Sequence, residues 1–170
     1  NCINFSKEKK GNKGILTVDV LNMYGESIYI DFKNLYRVDT PITNEYLLKK
    51  GDILFVRSSL KREGAGWVSL FNGWHEPVTF CGFIIRARLN DANISPEFLT
   101  YFLRSEIGRK ELIAGSGQVA ITNITQGLLR TLKVPLPPLL EQRMIVEVLS
   151  CIDLAIEKVD EAIARAERLK

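Results

Sequence analysis

The chain has 170 residues, 46% hydrophobic and 25% charged, which describes an ordinary globular chain with material for one core plus an appendage. No apolar run is long enough for a membrane span and no charged-then-apolar leader is visible, so the expected setting is cytoplasmic. Cys2, Cys81 and Cys151 are far apart and His75 is the single histidine, which argues for reduced thiols and against a disulfide framework or a metal site.

Strands are expected early and helices late. Residues 14–21, 28–32, 52–57, 67–71 and 78–88 are rich in β-branched and aromatic residues and are bounded by Gly, Asn, Ser or Pro. Ser95-Pro96-Glu97 then reads as the N-cap, first-turn proline and first-turn acid of a helix. Its apolar face would be Phe98, Leu99, Phe102, Leu103 and Ile107, and its end near Gly115. A second, short helix is expected to start at Asn123, because Asn123 and Gln126 stand in capping-box spacing before Leu128 and Leu129. Leu132 to Val134 reads as a returning strand. Pro135 to Pro138 hands the chain to a long helix that runs to Lys170.

That last helix is the most distinctive element. Ile145, Leu149, Ile152, Ile156, Val159, Ile163 and Ala166 recur at alternating spacings of four and three, the seam of a coiled coil. Val148, Ala155 and Ala162 widen the seam. Pro138 suits the first helical turn, Glu141 lies near the positive end of the helix dipole, and Arg165, Arg168 and Lys170 lie near the negative end. Two readings follow: a terminal helix folded back on its own domain, or a rod that pairs with another helix. The length favours the rod.

The net charge of +3 is unevenly spread. Residues 1–134 carry 18 Lys/Arg against 13 Asp/Glu, whereas residues 135–170 carry 5 against 7. Basic residues cluster at Lys7, Lys9, Lys10 and Lys13, at Lys49 and Lys50, and at Arg57, Lys61 and Arg62. Such clusters either form phosphate-contacting edges or are simply solvated loops. In Arg57-Ser58-Ser59-Leu60-Lys61-Arg62, guanidinium forks stand beside hydroxyls able to meet phosphates or base edges. Gly115-Ser116-Gly117-Gln118, with Thr122-Asn123, supplies small residues and amides of the kind that read adenine, although Asn123 is better read as a helix cap. Trp67, Trp74 and His75 flank a glycine loop, where they either stack on a ligand or belong to the core.

Catalytic signatures are absent. There is no Walker A segment, no Gly-x-Ser-x-Gly elbow and no His-Glu-x-x-His helix. Gly64-Ala65-Gly66 and Gly115-Ser116-Gly117 lack the spacing and setting of a dinucleotide fingerprint. No cofactor, metal or autonomous catalytic site is expected.

The residues carry a resemblance to one half of a type I restriction–modification DNA-specificity subunit. Its junction pattern is similar to Gly115 to Gln118, Asn123, Leu128 to Leu132, Lys133-Val134-Pro135 and then Pro137 to Gln142, the Pro-Pro-Leu-Leu-Glu-Gln start of the long helix. Lys50-Gly51-Asp52-Ile53-Leu54-Phe55-Val56-Arg57-Ser58 resembles the family's Gly-Asp-Ile-Leu strand and recognition turn. Ser95-Pro96-Glu97-Phe98-Leu99 resembles its helix entry.

The resemblance implies an α+β (mixed α/β) target-recognition domain, residues 1–134, followed by a spacer and dimerisation helix, residues 135–170. It implies a non-catalytic subunit that reads one half of a bipartite site in double-stranded DNA. It also implies docking of methyltransferase subunits, association through them with the restriction subunit, and self-association through the long helix. Expected DNA-binding residues are Lys10, Lys13, Arg57, Ser58, Ser59, Lys61, Arg62 and Gln118. Expected helix-pairing residues are Ile145, Leu149, Ile152, Ile156, Val159 and Ile163. Against a full subunit the chain has one domain and one helix and starts inside the recognition domain, as a natural half-subunit or a fragment would. Two alternatives stay open: a non-catalytic coiled-coil scaffold that binds protein, and the recognition half of a fused methyltransferase–nuclease.

Overall fold

A computed structural model of the chain describes residues 5, 9–59, 64–114 and 122–168. Among them lie nine strands: β1 (Lys10–Gly11), β2 (Ile15–Val18), β3 (Tyr36–Val38), β4 (Ile53–Val56), β5 (Ser58–Ser59), β6 (Val68–Leu70), β7 (Val78–Phe80), β8 (Ile84–Ala87) and β9 (Thr122–Asn123). The α-helices are α1 (Pro96–Arg104), α2 (Glu106–Ala114), α3 (Gln126–Thr131) and α4 (Leu139–Glu167). Eight strands precede the first α-helix, β9 lies between α2 and α3, and the long α4 comes last among the described elements, the α+β class expected.

The strands form a four-stranded sheet in the order β1-β3-β2-β7, a three-stranded sheet β6-β4-β8 and a two-stranded ribbon β5-β9. The β2–β7 pair is parallel and the other pairs are antiparallel. All of β4 is buried, and strand periodicity divides it between two cores. Leu54 and Val56 face the first core, with Val18, Val78, Phe80 and Ile84. Ile53 and Phe55 face the second, with Leu70, Ile85, Leu103, Leu112 and Ile124.

Several expected elements are corrected. Residues 28–32 make only an isolated bridge, Tyr29 to Leu70, and not a strand. The 78–88 run is two strands, because the chain turns through Cys81, Gly82 and Phe83. Ser95 caps the helix as expected, its hydroxyl accepting from the Phe98 N–H at 3.2 Å. That helix breaks at Ser105, whose backbone is extended. A Cβ at position 108 would lie 2.2 Å from the Phe102 carbonyl oxygen, so Gly108 lets α2 start hard against the end of α1. The break turns Ile107 to solvent at 68% exposure instead of onto the apolar face. Leu132 to Val134 forms no strand. The prolines at 135, 137 and 138 that follow carry no N–H for a ladder.

Pro138 is the N-cap of α4, one position ahead of the expected first turn. The 29 residues of the helix span about 43 Å. Its first part docks on α1. Gln142 is buried; its Oε1 accepts from the Ser95 N–H at 2.9 Å, and its Nε2 donates to the Asn93 and Pro137 carbonyls at 2.9 and 2.8 Å. Farther on, the Tyr101 hydroxyl donates to Asp153 Oδ2 at 2.6 Å, and burial together with this carboxylate pushes the phenol pKa up. The side chain that ends the Pro-Pro-Leu-Leu-Glu-Gln motif thus joins α4 to the turn where α1 begins. Gln142→Leu would strand a buried N–H and two carbonyls, at a cost of about 2–3 kcal/mol. A lower urea midpoint would register that loss, and an unchanged midpoint would contradict it.

Beyond Asp153 the helix leaves the domain. From Leu154 to Arg168 every residue except Ala164 is exposed. Ile145 and Leu149 are partly buried, whereas Ile152, Ile156, Val159 and Ile163 stand between 48% and 56% exposed.

Candidate nucleic-acid interface

Arg57 follows β4 directly and is bonded to a neighbouring chain segment on each side. Its N–H donates to the Phe83 carbonyl at 2.8 Å, and its own carbonyl accepts from the Ile124 N–H at 2.8 Å. Three segments therefore run side by side, with the exposed Arg57 in the middle. The next residues make the β5–β9 ribbon, in which Ser58 pairs with Asn123 and Ser59 with Thr122. The Ser58 hydroxyl donates to Asn123 Oδ1 at 2.5 Å.

This juxtaposition corrects the role of Asn123. The cap of α3 is Thr125, whose Oγ1 accepts from the Leu128 N–H at 3.2 Å. Asn123 instead sits exposed on the ribbon, beside the Arg57-Ser58-Ser59 segment. The two stretches whose residue types suit polymer reading, 65 positions apart between Ser58 and Asn123, are brought together by one strand pairing. Lys61, Arg62 and Gln118 lie outside the described residues.

The Ala65–Gly66 turn is held by a guanidinium. Arg109 donates to the Ala65 carbonyl at 2.9 Å, and Gly66, at φ +63°, packs against Ile124 and Arg109 in a left-handed turn that favours glycine. Two guanidinium groups lie over the Trp67 ring, Arg104 at 4.9 Å and Arg109 at 5.6 Å from its centroid. Trp67 therefore supports the turn from within. Trp74 stacks on Phe32 at 4.1 Å, with His75 tilted against it at 4.7 Å, so these rings hold each other.

The model of the type I restriction modification DNA specificity domain matches residues 3–167. The chain belongs to this family. Among relatives of the specificity domain, a putative type I restriction enzyme MjaX specificity subunit of Methanocaldococcus jannaschii is 32% identical over 128 residues, covering 74% of this chain and 30% of that protein. The type I restriction enzyme StySPI specificity subunit of Salmonella potsdam is 30% identical over 186 residues, covering 93% of this chain and 40% of that protein. The chain thus spans well under half the length of either relative. Solved structures share the fold, among them the following two. The HsdS subunit from Thermoanaerobacter tengcongensis superposes with a TM-score of 0.68 at 19% identity, over 92% of this chain and 40% of that one. The type I S subunit from M. genitalium gives 0.60 at 20% identity, over 94% of this chain and 37% of that one.

Elsewhere in the specificity domain, Lys10 lies on the outer strand of the four-stranded sheet. Its Nζ is 3.6 Å from Asp19 Oδ2 and 4.3 Å from the Tyr36 ring centroid, and Lys13 is exposed in the following bend. The strand pairing does not bring these two lysines to the β5–β9 ribbon; β3 and β2 stand between β1 and β7. Cys81 is buried and donates from Sγ to Asp19 Oδ1 at 3.4 Å; burial, with the Asp19 charge, pushes its thiol up to about 12, an inert setting. Among the described residues, no cluster of His, Cys, Asp and Glu has the makings of a metal site, and no helix is long and apolar enough to cross a membrane.

Proposed function

We propose that this specificity domain reads one half of a bipartite site in double-stranded DNA, without catalytic chemistry of its own. The observation that carries the reading is the strand pairing that sets Arg57, Ser58 and Ser59 beside Asn123. A guanidinium fork suits the O6/N7 edge of guanine, a side-chain amide suits adenine, and hydroxyls suit either base edges or phosphates. Lys61, Arg62 and Gln118 are proposed to take part in the same reading, as phosphate or base-edge contacts. Lys10 and Lys13, on a different edge, serve as phosphate contacts that set orientation and not sequence.

Residues 1–134 form the reading head in this proposal, and residues 135–170 the spacer. The half-exposed Ile152, Ile156, Val159 and Ile163 continue the seam begun by Ile145 and Leu149, and they pair with a second helix of the same kind. The assembled helices hold two heads apart and seat methyltransferase subunits, through which the restriction subunit joins. Relatives carrying this domain are specificity subunits, which supports the assignment.

Arg57→Ala in the assembled methyltransferase is expected to weaken binding to the cognate duplex about 10- to 100-fold and to relax sequence preference at one position. Affinity is also expected to fall steeply with salt as phosphate contacts release counterions. Salt-independent binding, or an Arg57→Ala/Lys61→Ala/Arg62→Ala variant with full activity, would favour the scaffold reading instead.

A further inference from the structure

Two apolar side chains, on turns that are bonded to one another, are exposed. Phe83 is 56% exposed and Leu21 is 84% exposed. Single exposed apolar residues are common on protein surfaces and require no explanation. Here, however, they occupy turns that are tied together: the Cys81 N–H donates to the Val18 carbonyl at 3.0 Å and its thiol to Asp19 at 3.4 Å. Leu21 follows Asp19 by two positions in a short turn, Val20–Met23, whose start is fixed by a capping box between Asp19 and Asn22. Phe83 follows Cys81 by two positions.

The register then places Phe83 with respect to Arg57. β4 and β8 are antiparallel, with Val56 opposite Ile84, so the next pair outward is Arg57 opposite Phe83, and the 2.8 Å bond from the Arg57 N–H to the Phe83 carbonyl closes it. Side chains of directly opposed residues emerge on the same face of a sheet, with Cβ atoms about 4.5–5.5 Å apart. The alternation within each strand agrees: Phe55 and Ile85 share one core, while Val56 and Ile84 share the other. A cation that suits guanine and a large exposed ring thus leave the domain as neighbours. An exposed ring at this position adds little to folding.

We propose that Phe83 is an apolar reading edge that contacts thymine methyl groups in the major groove beside the base pair read by Arg57, with Leu21 offered on the turn bonded to its own. The proposal rests on the DNA-reading function above. The methyl is the one apolar mark on the major-groove edge of the base pairs, and an aromatic ring is among the groups that recognise it. The charge of Arg57 and the amide of Asn123 on adjoining segments point to duplex DNA as the occupant and not to an apolar protein face.

The test uses the chain in its assembled methyltransferase and a duplex carrying the half-site found by mapping methylated adenines. Affinity is measured on this duplex and on duplexes in which each thymine in turn is replaced by deoxyuridine, which removes only the methyl. The unaltered protein is expected to lose about fourfold at one or two positions, the worth of burying one methyl group. Phe83→Ala should lose a similar factor on the unmodified duplex and become indifferent to uracil at that position, and Phe83→Leu should keep part of the discrimination. Indifference of the unaltered protein to every replacement would overturn the proposal, as would an identical uracil profile in Phe83→Ala. Loss of binding in Arg57→Ala alongside either result would leave the DNA-reading function standing. Full binding by Arg57→Ala as well would remove both.

Discussion

Replacing Arg104 by Met is expected to cost about 3 kcal/mol, since hydrogen bonds to a charged group contribute about 1.5–3 kcal/mol each without being additive. The guanidinium donates to the carbonyls of Val68 at 2.7 Å, Glu26 at 2.8 Å and Gly25 at 3.2 Å, and to the Ser69 hydroxyl at 3.1 Å. Burial pulls its pKa down to about 10, so it remains a cation at neutral pH. Met keeps the apolar stem against Trp67 but strands the carbonyls, and regaining the desolvation cost of the charge offsets part of the loss. For a domain of this size the melting temperature should fall by about 6–12 °C. Arg104→Lys keeps a charge without the planar fork and should fall between the two. A Met variant that melts with the parent protein would show that these bonds only replace equivalent ones to water.

Asp52→Ala should cost about 3 kcal/mol, the low end of what removing one partner of a buried ion pair costs. Asp52 is almost wholly buried; it takes two bonds from Arg88 at 2.6 and 2.7 Å and a third from the Lys49 N–H at 2.8 Å. Arg88 is about a third exposed and can swing into water once Asp52 is gone, which keeps the loss from being larger. Asp52→Asn retains an acceptor for Lys49 and should lose less. Urea denaturation of both variants ranks them; equal losses would mean that the charge contributes nothing beyond the turn.

Much of this architecture is legible in the chain. The all-apolar Ile53 to Val56 run, the Ser95-Pro96-Glu97 start and the long helix after Pro138 each follow from one local rule, and each element forms where that rule places it. What local rules miss is set by contacts distant in sequence. Ser105 is a usable N-cap, its Oγ accepting from the Gly108 N–H at 3.2 Å, but the break also needs Gly108, because the Phe102 carbonyl stands where its Cβ would be. Asn123 has the capping-box spacing to Gln126 and Thr125 does not, yet Thr125 is the cap, because Asn123 is taken up by its pairing with Ser58. For the candidate interface, residue types at Arg57 to Ser59 were readable, while their juxtaposition with Asn123 was not. Gly82 was the available sign that the 78–88 run turns, and that turn is what exposes Phe83.

The division of β4 between two cores has a further consequence. A strand whose alternate side chains belong to different clusters cannot leave one without vacating the other, so the four-stranded sheet and the helical layer are coupled into a single cooperative unit. Arg57 is the next residue along that strand. The side chain proposed to meet DNA therefore does not ride on a loop that melts by itself; its backbone shares the fate of the most deeply shared strand in the molecule, and local fraying gives it no separate way to lose its aim.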